Sequence, residues 1–498
     1  MVTYNDYLEI DNTNPKKVMD FVNTAINDHK NTDLYKEAVI AEQYDRHMNV
    51  TITTYQKLLY TVTGKAVPDN YSANFKLASR FFNRFVVQEN QYLLGNGVTW
   101  ANEGTEEVLG ENFDTQLQKA GKYALVGGVS FGFFNLDHMD VFPVTEFAPL
   151  YDEENGALMA GIRFWQLDTT KPLRATFYEI DGYTDFIWDS RKGALDGKWT
   201  KVDTGKGMVA KRPYKLKIRT SKADGMEIYD GENYETFPII PLWGNPHHQS
   251  ELIGMREQID CYDLIKSGFA NTVDEGSIIY WLIQNAGGMD DIDLVKFVER
   301  IKTMHAAAVD GGVDGARAEA HTLEPPYQSR ESLLTMLRSD LYDDAMALDT
   351  KNIADGAVTA TQIEAAYEPL NNKTDQFEYC VLEFLQDILN VAGIHDEHPT
   401  FTRSLIVNRS EEITSVIQAG SYLDEEYITR KLLDILGDGD LADEVLERME
   451  LSEANRNGFM DEEIGDESED YEDEAEDEYD MSEIESIIDQ IMKLMEDL

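Results

Sequence analysis

The glycine run Gly127-Gly128-Val129-Ser130-Phe131-Gly132 comes nearest to a phosphate-cradling turn, in which backbone N–H groups at a helix start face an anion. It lacks the full Gly-x-Gly-x-x-Gly spacing and puts aromatics where the helix should begin, so it reads as a glycine-bearing strand pair. Asp290-Asp291-x-Asp293 and Asp438-Gly439-Asp440 supply carboxylates of the kind that hold a hard cation, yet neither continues into the remaining ligand positions or the distal bidentate Glu. Both read as acidic residues opposing the dipole at a helix start. His247-His248 lies beside Pro246 with no third ligand in register and reads as a linker. Cys261 and Cys380 are far apart and outside any CxxC pair, which points to two reduced thiols. No P-loop, Gly-x-Ser-x-Gly elbow or His-Glu-x-x-His helix is present, and the residues point to no cofactor and no metal site.

Charge narrows the partners. The 498 residues carry 43 Lys and Arg against 94 Asp and Glu, a formal net charge of −51, which excludes a basic-patch nucleic-acid binder of the usual kind. Residues 451–498 hold 20 acidic and 2 basic residues, and the first 450 remain at −33, so the folded body is acidic as well. No apolar run reaches the roughly 18–20 residues of a membrane span, and the opening MVTYNDYLEIDNTN lacks the basic and apolar regions of a signal peptide. The chain is therefore expected to stay in the cell that makes it, away from membranes.

A chain of this length, 42% apolar, can bury more than one core. Residues 1–70 mix polar and aromatic positions with weak helical periodicity and read as an N-terminal arm. From 72 to 94 the apolar residues Phe75, Leu77, Phe81, Phe82, Phe85, Val86 and Tyr92 fall largely at helical spacing, and Gly95-Asn96-Gly97 marks the stop. After a second helix near 112–125, short apolar runs separated by Asn155-Gly156, Asp181-Gly182 and Asp196-Gly197 predict a β-rich region of about 120–245. It closes on Phe237-Pro238-Ile239-Ile240-Pro241-Leu242-Trp243, extended because each proline removes a donor and disfavours helix before it.

Ser250 is a candidate N-cap for a helix with its stripe at Leu252, Met255, Ile259, Tyr262, Ile265, Phe269 and Val273. Residues 277–328 break the pattern with a strand-like IIYWLI, a helix near 292–303 and a Gly-rich stretch, a small mixed α/β insertion. A helix from Ser329 carries Leu333, Leu337, Leu341 and Ala345, and the loop 348–356 that follows is too polar to bury. Ile363, Tyr367, Leu370, Phe377, Val381, Leu385 and Ile388 then mark a helix of about 48 Å from Val358 to Leu389. The stripe continues on both sides of Pro369, so a kink is expected there. Beyond a strand-like 401–407, helices are expected near 410–419, 424–436 and 440–450. The tract 461–480, acidic at 14 of 20 positions, should be disordered, and 481–498 should form a short amphipathic helix that needs a partner.

These elements in this order resemble the portal, or head-to-tail connector, family of tailed double-stranded-DNA bacteriophages, over most of residues 70–450. The residues that carry the resemblance are Phe82-Asn83-x-Phe85-Val86, Gln91-Tyr92-Leu93-Leu94-Gly95-Asn96-x-Val98-Thr99 and the proline segment 237–243. More specific are Asp355-Gly356-Ala357-Val358, Tyr367-x-Pro369-Leu370-Asn371-Asn372-Lys373 with Glu378, and Phe401-Thr402-Arg403-Ser404-Leu405.

The resemblance implies an α+β portal fold: a wing over 71–249, stem helices at 250–276 and 329–346, a clip at 277–328, and a tunnel loop at 347–357. A long kinked helix returning to the wing would span 358–409 and a helical crown 410–457, leaving an acidic tract at 458–480 and the terminal helix at 481–498. It further implies a ring oligomer, usually a dodecamer, at one capsid vertex of the virion, and a protein that is not an enzyme. Its partners would be the large terminase subunit, head-completion adaptors, major capsid and scaffold proteins, and double-stranded DNA passing without sequence specificity. Tunnel-loop residues would be Asp349, Thr350, Lys351, Asn352, Asp355 and Gly356, with Pro369 at the helix kink. Acidic walls repel a duplex that carries one charge per roughly 1.7 Å, so DNA slides instead of sticking. The rival readings are an acidic DNA mimic or chaperone-like adaptor for a basic partner, monomeric or dimeric, and an enzyme with scattered residues, which requires a concave pocket with perturbed carboxylates.

Overall fold

Asn14 followed by Pro15 starts the first long helix, the Asn14 side chain accepting the Lys16 N–H while proline occupies the first turn, where its missing donor costs nothing. In this computed structural model the described residues are 2–450 apart from 61–64, 70–71, 103, 190–197, 202–210, 221–226, 276–279, 284–317, 322–326, 352–359, 404–412, 414–415, 420–421, 438, 444, 447 and 450. The chain divides into two units, Met1–Ile406 and Val407–Leu498.

The first unit opens with helices α1 (Tyr4–Glu9), α2 (Pro15–Asn31), α3 (Asp33–Asp45) and α4 (Val50–Thr54), then a short hairpin β1 (Leu58–Tyr60) and β2 (Ala66–Pro68). This corrects the reading of 1–70 as an arm with weak periodicity. Phe21, Val22, Ala25 and Ile26 of α2 and Tyr7 of α1 form one core with Leu150, Ile162, Phe164, Phe177 and Phe186. The pattern looked weak because α3 buries Ala38, Ala41 and Tyr44, two of them small and one carrying a hydroxyl.

Helix α5 (Phe81–Leu94), strand β3 (Val98–Thr99) and helices α6 (Thr105–Leu109) and α7 (Phe113–Gly127) lead into the strands. The helix expected over 72–94 begins only at Phe81, and residues 72–80 are not helical. Three amides that a helix would have used are taken by side chains instead: Phe75 N–H donates to Asn271 Oδ1 at 2.7 Å, Leu77 N–H to Ser267 Oγ at 3.0 Å and Ser79 N–H to Asp263 Oδ1 at 2.9 Å. Acceptors four residues apart on a helix rise about 6 Å, and alternate amides of an extended chain are about 6.6 Å apart, so the two ladders match.

Strands β4 (Val129–Asn135) and β5 (His138–Pro143) form a hairpin, and β6 (Phe147–Tyr151), β7 (Leu158–Trp165), β8 (Leu173–Glu179), β9 (Gly182–Asp189) and β10 (Lys198–Lys201) form an antiparallel five-stranded meander. β11 (Lys215–Thr220) pairs with β12 (Glu227–Glu232), and β13 (Ile239–Trp243) joins β4 and β5 in the order β13-β4-β5. That order leaves β13 at an edge, where Pro241 can lack its donor. The glycine run is a helix end followed by a strand: Gly128 caps α7 at φ +87°, and β4 starts at Val129. Six of the seven β4 residues are buried, as expected of a strand covered on both faces.

α8 (Arg256–Glu275) starts at Arg256 and not directly after Ser250, because Gly254 at φ +90° interrupts the turns before it. Ser250 Oγ still caps locally, accepting the Leu252 N–H while donating to Val126 O at 2.6 Å. Strands β14 (Tyr280–Ile283) and β15 (Ala318–His321) pair antiparallel; the helix expected at 292–303 and Asp290, Asp291 and Asp293 lie outside the described residues. α9 (Tyr327–Asp344) packs on α8 through Phe269 and Tyr327, and Arg330 donates to Thr272 Oγ1 at 2.8 Å. α10 (Ala360–Ala392) runs unbroken through Pro369, and β16 (Thr400–Phe401) pairs with β3. The larger core joins α5, α7, β4, β13 and α10 around Phe82, Phe131, Phe142, Phe377 and Phe384. A Cβ on Gly132 would come within 2.5 Å of the Phe384 ring, so glycine makes room for that ring on the sheet.

In the second unit α11 (Glu425–Leu436) ends at Gly437 in the left-handed conformation, and Arg430 pairs with Glu426 and Asp443 at 3.1 and 2.8 Å. The acidic tract and terminal helix of the sequence reading lie outside the described residues.

Candidate functional site

The loop after α9 and the helix that follows it bring together the residues singled out from the sequence. Leu348 and Asp349 correct the expectation that this loop is too polar to bury: Leu348 is 5% exposed and the Asp349 side chain 9%. Leu348 packs with Tyr92, Tyr367 and Leu370 in a small separate cluster, the Tyr92 and Tyr367 rings stacked at 5.6 Å. The Arg338 guanidinium grips the Asp349 carboxylate with both Nη atoms at 2.7 Å, and the Lys351 N–H donates to the same carboxylate at 3.2 Å. Burial pushes the Asp349 carboxyl up, but those two hydrogen bonds with the charges of Arg338 and Arg84 outweigh it, and the group sits below the usual aspartate range. Thr350 and Lys351 continue the chain, Lys351 exposed; Asn352, Asp355 and Gly356 lie outside the described residues.

Pro369 divides α10 by its surroundings. Before it, Ile363, Ala366 and Tyr367 belong to the small cluster with Tyr92 and Leu348. After it, Phe377, Val381, Phe384, Leu385, Ile388 and Leu389 are all at most 1% exposed in the main core.

The motif residues just past the proline are polar anchors. Lys373 Nζ lies 2.8 Å from Glu89 and 2.9 Å from Glu251, tying α10 to α5 and to the turn before α8. Burial raises the Glu89 carboxyl, the Lys373 charge opposes this, and Glu251 adds to the rise. Burial alone would lower Lys373, yet its two carboxylates hold it well above the usual lysine range, so the ammonium keeps its proton. Arg403, beyond β16, reaches back to α10: it donates to Asn371 Oδ1 at 3.1 Å and Glu378 Oε2 at 2.6 Å, and also to Asp375. Tyr92 donates its hydroxyl proton to Asn371 Oδ1 at 2.5 Å.

The sequence reading missed Gln88, Glu89, Glu251 and Arg338, the partners of these motif residues. Gln88 contacts Leu348 across 260 residues of chain, and no local pattern encodes such a pair.

An acidic cleft of about 780 Å³ lies elsewhere, lined among others by Glu106, Glu107, Glu111, Asp114, Asp137 and His138. Burial raises the Asp114 carboxyl while the Val98 N–H lowers it, and a hydrogen bond from His138 holds Asp137 low. The cleft thus has the pocket the enzyme reading requires, but its perturbed carboxylates are engaged in local structural hydrogen bonds, with no paired nucleophile and base. Among the described residues no group of three or more His, Cys, Asp or Glu could hold a metal ion, and no helix is long and apolar enough to cross a membrane.

Comparison with known proteins assigns the class. A family model described as phage portal protein, SPP1 Gp6-like, matches residues 41–458, and the chain belongs to that family. It is 25% identical over 390 residues to the portal protein of Bacillus phage SPP1, covering 73% of each chain. The portal protein of Clostridium phage phiCD119 is 26% identical over 188 residues, 36% of this chain and 41% of the relative. A solved structure described as the neck of an empty GTA particle computed with C6 symmetry aligns with 70% of this chain and 88% of its own at 10% identity, with a TM-score of 0.39. Membership supports a phage portal role over an acidic adaptor or an enzyme.

Proposed function

We propose that the chain is one subunit of a ring at a capsid vertex, forming with its copies the channel that double-stranded DNA crosses during packaging and ejection. The observation that carries this reading is the family match over 41–458, which spans the loop and both anchored helices. The terminase motor would dock at the end formed by 277–328 and head-completion proteins would follow it there, with capsid and scaffold proteins meeting the outer parts. The charge of −51 supports transit without attachment, since a duplex is held by the counterions that basic contacts release and acidic walls supply none.

Within the loop, Lys351 would touch passing phosphates. Asp349 is already committed to Arg338, so in this reading repulsion falls to Asp355. Lys351→Glu should lower the yield of packaged DNA several-fold in a packaging reaction while rings still assemble. An unchanged yield removes Lys351 from the account.

A further inference from the structure

We infer that Gln88 and Arg338 are positioning residues for the loop, fixing together the point and direction in which the chain leaves α9 and the placement of the Lys351 amide. The functional meaning rests on the channel reading above; the structural content stands on the following geometry.

α9 ends in a tight turn in which the Met346 N–H donates to Asp343 O at 3.1 Å and the Ala347 N–H to Tyr342 O at 3.0 Å. Met346 stands at φ +52°, a left-handed conformation that glycine adopts freely and methionine does not. Such strain persists only where neighbouring contacts over-determine the backbone. The next two residues supply those contacts.

Gln88 meets the Leu348 backbone twice: its Nε2 donates to Leu348 O at 3.1 Å, and the Leu348 N–H donates to its Oε1 at 3.2 Å. A primary amide offers donor and acceptor on one carbon, as a peptide does, so it can satisfy both groups of a buried residue that lacks a secondary-structure partner. Arg338 then takes Asp349 through its planar fork, a geometry that fixes direction as well as distance. Asp349 Oδ1 accepts from both Arg338 and the Lys351 N–H, so the placement of Lys351 depends on Arg338 through one shared oxygen.

The two anchors are themselves tied together. Phe81, Phe85 and Gln88 lie on one face of α5 at helical spacing, and Tyr342, one turn after Arg338, sets its ring edge against Phe81 and Phe85 at 6.2 and 5.1 Å. The Arg338 guanidinium lies 4.8 Å from the Tyr342 ring centre. α5 therefore holds α9 through Tyr342, α5 holds the loop through Gln88, and α9 holds the loop through Arg338. Three ties in a closed triangle remove the swivel that any one alone would leave.

The test uses the full chain with Cys261→Ser and Cys380→Ala and a nitroxide spin label attached at Thr350→Cys. The label should be restricted in this parent and tumble several-fold faster in Gln88→Ala and in Arg338→Gln, with the melting temperature moved by only a few degrees. Arg338→Lys, which keeps the positive charge on α9 and leaves Asp349 in place to accept the Lys351 N–H, should recover most of the restricted signal, which a general loosening of the fold would not do. A label equally restricted in Gln88→Ala and Arg338→Gln overturns the inference. Packaging separates it from the channel reading: a freed label with full packaging yield leaves the anchors standing and sinks the channel role of the loop. A freed label with several-fold lower yield, recovered in Arg338→Lys, supports both.

Discussion

The two halves of α10 are held by different physics. From Phe377 on, the helix is fixed by packing, with Phe384 over Gly132 and six side chains at most 1% exposed. Up to Lys373, the helix and the loop it follows are fixed by a four-residue cluster and a few polar ties at Gln88, Arg338 and Lys373. Packing tolerates acid and salt but not a cavity, whereas charged ties tolerate small volume changes but not loss of charge.

The largest effects should come from the packed half. Phe384→Ala should cost about 3–5 kcal/mol in chemical denaturation, because the sheet cannot collapse into the space left. On the tied side, Lys373→Met should cost a similar amount, about 3–5 kcal/mol, since buried Glu89 and half-buried Glu251 then lose their shared cation. A loss under about 1 kcal/mol in both variants would erase the distinction between the halves.

Smaller effects sharpen it. Asp263→Leu should cost about 1–3 kcal/mol, because the Ser79 N–H and the Asn49 amide, both buried, lose their acceptor. Glu89 tests the pH dependence. Its carboxyl is raised in the fold, so the folded state binds the proton more tightly than the unfolded chain. Stability should therefore fall as pH rises from the ordinary glutamate range toward the raised value, by on the order of 1–3 kcal/mol. Glu89→Gln should flatten that slope, measured as melting temperature against pH. Asp349 has the opposite sign: its carboxyl is lowered, so its tie is in place above the ordinary aspartate range and is lost as acid protonates it. The smallest change expected is Met346→Gly, which exchanges left-handed strain for chain entropy and should stay within about 1 kcal/mol of the parent.

The helical stripe from Ile363 to Ile388, the proline strand at 239–243 and the short strands between glycine turns were legible because each rests on spacing within one element. Residues 72–80 were not, because the side chains that take their amides lie some 190 residues away on α8. Ser250 has the right type for an N-cap and makes the cap bond, yet Gly254 postpones the helix, a backbone effect that apolar spacing does not report. At the site, the motif from Tyr367 to Lys373 with Arg403 was visible as a motif, but its purpose was not. Glu89, Glu251, Gln88 and Arg338 become partners only once the chain has folded, and a polar loop gave no sign that Leu348 and Asp349 would be buried at its start.

The most direct test is cryo-electron microscopy of the purified full chain at high concentration. The account calls for closed rings with an open axis, and with residues 348–356 facing that axis. Particles that stay solitary at every concentration, or rings with that segment on the outer rim, would contradict it.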